Sequence, residues 1–130
     1  MLFNKRELAA ILNIANGMAE IDGKVENIEL DVIYSEMTSR LGLEHDELLS
    51  LSEIAIIDMD PHTAMNIVAE MTPFQKQYVQ ALLVIVMASD GNIDEREMAM
   101  LKVITMVSGL PPINMNDIRT TVNAFRNRRY

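Results

Sequence analysis

Residues 87–97 read "MASDGNIDERE", and residues 19–29 read "AEIDGKVENIE". Each begins at the end of an apolar run and leads into another. Asp-Gly is a helix-ending pair, because glycine takes the left-handed conformation that closes the last turn. An acid at Glu26 or Asp94, followed three residues later by Glu29 or Glu97, is the pattern of a new helix beginning. Both stretches therefore predict helix–turn–helix.

The flanks extend that pattern. Upstream of the first turn, Leu8, Ile11, Leu12, Ala15 and Ala19 recur at helical spacing. Downstream, Leu30, Ile33, Met37 and Leu41 mark a helix over about 26–41 that Gly42 stops. "EHDELLSLSEIAII" predicts a third helix. Asp60-Pro61 starts a fourth with a capping carboxylate and a proline at the first position, with Ala64, Ile67, Val68 and Met71 on one face. Thr72 and Gln75 form a capping box for a fifth, whose "ALLVIVMA" is apolar nearly all round and so expected to be central. Asp94 to about Ser108 is a sixth, stopped by "GLPP". A last helix from about Asn114 to 128 turns Ile118, Val122 and Phe125 inward and carries Arg126, Arg128 and Arg129 at its negative pole. No alternating strand pattern occurs. The prediction is an all-α single compact domain of six to seven helices.

Asp22-Gly23 and Asp90-Gly91 lie 68 residues apart. At that offset Val25 meets Ile93, Glu29 meets Glu97, Leu30 meets Met98 and Ile33 meets Leu101. One residue further, "RLGL" at 40–43 matches "VSGL" at 107–110. The chain thus reads as an internal pseudo-twofold repeat, with units about 4–43 and 72–110 and a helical connection about 44–71.

Composition bounds the function. The net charge of −8 disfavours nucleic acid and favours a cation or a basic protein surface. With no cysteine there is no disulfide framework, thiolate metal site or cysteine nucleophile. The opening 23 residues imitate a signal peptide only faintly, since Glu7, Asn13, Asn16 and Glu20 break the apolar run. No apolar run is long enough to span a bilayer. A cytoplasmic protein is expected.

The two turns, their acidic continuations and the Gly-Leu stops resemble the tellurite-resistance protein B (TerB-like) family over about Leu8 to Leu110. The resemblance implies an all-helical fold, divalent-cation binding by acids in and around the turns, and a bacterial stress-resistance setting. The membrane co-chaperone branch of that family is a poorer match, because the chain has neither a membrane anchor nor a His-Pro-Asp motif; "DPH" at 60–62 is not one.

The residues themselves allow two readings of the turns. Set on a calcium EF-hand loop, Asp22 and Asp90 take position five, Gly23 and Gly91 six, Glu26 and Asp94 nine, and Glu29 and Glu97 twelve. Position one, however, is Met18 or Val86, which cannot coordinate, and position three is Glu20 or Ala88. Neither loop makes a good calcium site alone, whereas carboxylates pooled from both would make a modest one for calcium, magnesium or manganese. In the other reading the same acids are helix caps and nothing more.

No catalytic constellation is visible: His45 and His62 lie in different segments, and no nucleophile elbow or phosphate loop occurs. "FRNRRY" at 125–130 reads as a helix-end cation cluster, with contact to RNA or an acidic partner as the alternative. Of the eleven methionines, Met37, Met71, Met87 and Met98 fall at core positions, while Met59, Met65, Met100, Met106 and Met115 suit either core filling or an adaptable groove. The expectation is a non-enzymatic binding module with a protein partner, modulated by a divalent cation at Asp22, Glu26, Glu29, Asp90, Asp94 and Glu97. A structural or homo-oligomerising domain without metal is the alternative, and a metal-dependent hydrolase using the same acids comes third.

Overall fold

The computed structural model describes residues 2–20, 27–88 and 94–127, excepting the side chains of 27–32, 40, 121–122 and 124–127. Among them are seven helices and no strand: α1 Lys5–Ala19, α2 Asn27–Leu41, α3 His45–Ile57, α4 Pro61–Ala69, α5 Pro73–Ala88, α6 Glu95–Ser108 and α7 Met115–Asn127.

The starts follow from side chains that satisfy the first N–H groups. Asn4 accepts from Glu7 N–H at 2.8 Å while Glu7 Oε1 accepts the Asn4 N–H at 2.9 Å, a reciprocal box. Thr72 and Gln75 repeat it at 3.0 and 3.2 Å. Asp60 accepts the Thr63 N–H at 2.7 Å, and this backbone bond holds its carboxyl below the usual aspartate value. Asn114 Oδ1 takes the N–H groups of Asn116 and Asp117 at the head of α7.

Two helix ends need glycine. Gly42 and Gly109 stand at φ +69° and +64°, and the leucine after each, Leu43 or Leu110, is buried. The Leu110 N–H reaches back to Thr105 O at 3.0 Å, and Leu43 N–H to Met37 O at 3.4 Å. The first helix ends sooner than its sequence suggests, at Ala19, with Glu20 donating its N–H to Asn16 O at 3.1 Å. Asp22-Gly23 and Asp90-Gly91 lie outside the described residues.

α1 is the hub. It packs against α2, α3, α4, α5 and α6, and buries Leu8, Ala9, Ala10, Ile11, Leu12, Ile14, Ala15, Met18 and Ala19. The apolar stripe read from the sequence covers one side of what is buried nearly all round. α5 is also largely internal, burying Val79, Leu82, Leu83, Val86, Met87 and Ala88, but Ala81 on it faces solvent. It meets α2, α6 and α7 as well as α1. Met18, Met37, Met59, Met71, Met87 and Met98 belong to the core, and Met65 and Met100 pack against it. Core filling thus explains most of the methionines, and among the described residues Met106 and Met115 are exposed.

Polar ties lock the layers. The Asn13 amide, midway along α1, donates to Ala55 O and Met59 O, both at 2.8 Å. These acceptors belong to the last turn of α3 and the bend after it, where carbonyls lack helical donors. Ser108, wholly buried at the end of α6, donates to Met65 O of α4 at 3.2 Å, and Gln80 of α5 donates to Pro111 O.

Replacing Asn13 with alanine orphans two partly buried carbonyls and should cost about 2 kcal/mol. Asn66→Ala, whose amide meets only His62 on the surface at 3.3 Å, should cost less than about 0.5 kcal/mol. Urea midpoints of the two variants check the contrast. Gly17 tests the packing of α1 differently, because a Cβ there would meet only the mobile Met100 Cε at 3.4 Å. The helix-propensity gain of up to about 1 kcal/mol should then win, and Gly17→Ala should raise the midpoint.

Candidate functional site

Of the six acids proposed to bind a cation, Asp94 and Glu97 are described in full. Glu29 lies in α2 with its side chain outside the described residues, as Asp22, Glu26 and Asp90 are altogether. Asp94 caps α6. Its Oδ1 accepts the N–H groups of Arg96 at 2.8 Å and Glu97 at 3.1 Å, so the capping role read from the sequence is real. A carboxylate offers about four lone-pair positions, so capping leaves Oδ2 available to another donor or a cation.

Glu97 is the unexpected member. It is only 3% exposed, within the first turn of α6, a burial that its spacing from Asp94 does not show. A buried carboxylate persists only where hydrogen bonds or opposite charge compensate its lost hydration. Its burial ties the start of α6, just after the Asp94 cap, to the core.

The donor chemistry is hard oxygen, which suits calcium, magnesium or manganese better than zinc. His45 and His62 stand exposed in the first turns of α3 and α4, away from α6 in the chain. Among the described residues no three acidic or histidine side chains gather into a cluster able to hold a metal.

Two surface features go beyond the motif reading, which names only Met106 among their exposed residues. On α6, Val103, Met106 and Val107 are 49%, 77% and 43% exposed and share one side of the helix that Asp94 caps. On α3, Ile56 and Ile57 are exposed beyond a groove floored by Leu8, Leu43 and Leu51. The signal for both was present: "EIAII" and "KVITMV" hold more apolar residues than one buried helical face can use.

The chain is similar to the crystal structure of a protein of unknown function from Porphyromonas gingivalis. The two are 31% identical, with a TM-score of 0.79 over 98% of this chain and 92% of the other. This chain belongs to that protein's family. No protein-family model and no curated protein matches it. Among the described residues no helix is long and apolar enough to cross a membrane.

Because asparagine caps as well as aspartate does, Asp94→Asn should change stability by less than about 0.5 kcal/mol. Asp94→Ala should lose about 1 kcal/mol. Thermal or urea denaturation in chelator separates the two, and an equal loss in both would show that the charge, not the cap, matters to the fold.

Proposed function

We propose that this protein is a non-enzymatic, cytoplasmic binding module of the TerB-like kind, which engages a protein partner in a bacterial stress-resistance setting. A divalent cation held by Asp22, Glu26, Glu29, Asp90, Asp94 and Glu97 modulates that engagement. The observation that carries this reading is on α6. One helix begins at the acidic turn, sends Glu97 inward and presents Val103, Met106 and Val107 outward. A cation that neutralises the turn would shift the start of α6, and the apolar surface would move with it.

A pseudo-twofold arrangement of two units is part of the same proposal, because it would let the two turns pool their carboxylates. Three observations support it. α1 pairs with α2 as α5 pairs with α6, and α1 meets α6 as α5 meets α2. Gly42 and Gly109 close their helices in the same left-handed conformation. The leucine after each is buried. The helices of 44–71, α3 and α4, stand between the units in sequence and pack on α1.

The alternative is a purely structural or oligomerising domain in which the turns only cap. Calorimetric titration of metal-stripped protein with calcium, magnesium and manganese decides between them. Saturable binding, abolished in the Asp22→Asn/Asp90→Asn double variant and weakened in Asp94→Asn, is expected. Wild type and variants that give equally flat titrations up to millimolar cation would leave the capping role alone.

A further inference from the structure

A groove of about 330 Å³ runs between the first turns of α1 and the length of α3. That volume is at the small end of ligand-sized cavities, roughly 300 Å³ upward. Its floor is sealed by the buried Leu8, Leu43 and Leu51, with Ile54 half-buried at the side. Asp46 and Glu47 stand on the α3 wall, exposed, while Lys5 faces them from α1. Glu47 accepts the Glu44 N–H through Oε1 at 3.2 Å, which leaves its Oε2 on offer beside the Asp46 carboxylate. One turn past Ile54, Ile57 is 76% exposed and falls on the same side of α3 as Asp46 and Ser50. α3 thus offers a line that runs from carboxylate at its amino end to exposed isoleucine at its carboxyl end.

The complement of that line is a short segment with a large apolar side chain and several cations. Copies of a chain with net charge −8 repel one another unless a basic stretch of one meets an acidic wall of the other. The basic residues are unevenly spread: three of the eleven fall within "FRNRRY" at 125–130. Tyr130 supplies apolar bulk for the floor and for Ile57. Arg126, Arg128 and Arg129 supply charge for Asp46 and Glu47, with the planar guanidinium suited to carboxylate. We infer that the α1–α3 groove of one copy binds the 125–130 segment of a second copy. The contact is head-to-tail, so it closes a ring or extends a chain of copies according to the rotation between them.

This inference rests on the reading of the protein as a binding module and names a partner for it. It leaves the cation role independent, because none of the groove residues belongs to the acidic turns. The probe is a fluorescent peptide of residues 119–130, titrated with the full chain at about 0.05 M and about 0.5 M salt. Saturable binding is expected, weaker at the higher salt. It should weaken at least tenfold in the doubly substituted Asp46→Lys/Ile57→Glu chain, whose altered positions are exposed and leave the helical circular dichroism unchanged. Sedimentation of the full chain should show concentration-dependent association that is lost when Arg126, Arg128 and Arg129 become glutamate. A chain that stays monomeric overturns the inference, and so does association equal in all variants or peptide binding indifferent to the groove substitutions. Cation titrations of the same groove variant, unchanged from wild type, would keep a failure here distinct from a failure at the turns.

Discussion

The fold depends on α1 being thin enough to be surrounded. A helix that touches five others cannot carry large side chains on every face. Ala9, Ala10, Ala15 and Ala19 keep its sides shallow, and Gly17 lets Met100 of α6 come within 3.4 Å of where a Cβ would be. The large side chains on it, Leu8, Ile11, Leu12, Ile14 and Met18, then fill the gaps between its neighbours. Protein interiors are packed to near-crystalline density, so this alternation of small and large determines how closely α2 to α6 approach. Asn13 is the polar exception at the centre, and it is tolerated because both its donor protons are used on carbonyls that α3 cannot satisfy itself.

Local chemistry made the helix boundaries legible. Asp60-Pro61, Thr72 with Gln75, Gly42 and Gly109 each act through their own backbone neighbourhood, and each does in the structure what its residue type predicts. The position of each helix in the assembly was less legible. α1 looks half-polar because Asn13, Asn16 and Gly17 interrupt its apolar residues, and only the tertiary partners of Asn13 show why polarity there is compatible with burial. α5 looks central by hydropathy and shares that place with α1. Glu97 carries the same lesson for the candidate site. Its spacing from Asp94 says helix start, but nothing in the spacing says that the side chain turns into the core. For Asp22, Glu26, Glu29 and Asp90 the motif remains the argument.

α6 joins the two ends of the functional proposal. Its first turn carries the acids, and its last turns carry exposed Val103, Met106 and Val107. Between them Met98, Leu101 and Ile104 fix it to the core. Ser108 ties its far end to α4 through Met65 O. A helix held along one side and tethered at its carboxyl end would, on that proposal, carry a disturbance at its amino end to the far end by rotating about its own axis. Small shifts at packed interfaces resolve into discrete rearrangements rather than smooth deformation. On the proposed reading, the exposed stripe would turn with the helix.

Capping and cation binding by Asp94 compete, and magnitudes decide whether the competition matters. A cap is worth about 1 kcal/mol, whereas a millimolar cation site requires about 4 kcal/mol. Even if a metal took Asp94 wholly from the N–H groups of Arg96 and Glu97, the loss would weaken affinity by less than about tenfold. Asp94 also keeps Oδ2 beyond the two bonds that its Oδ1 accepts, so the actual loss is smaller. The larger opposing cost is geometric, because a carboxylate as buried as Glu97 must either reach the metal from beneath the turn or leave the core to do so. The first route needs no rearrangement of α6 and would produce a site without a switch. The second extracts Glu97 and moves the helix, so a cation-dependent partner surface requires that Glu97 change its place.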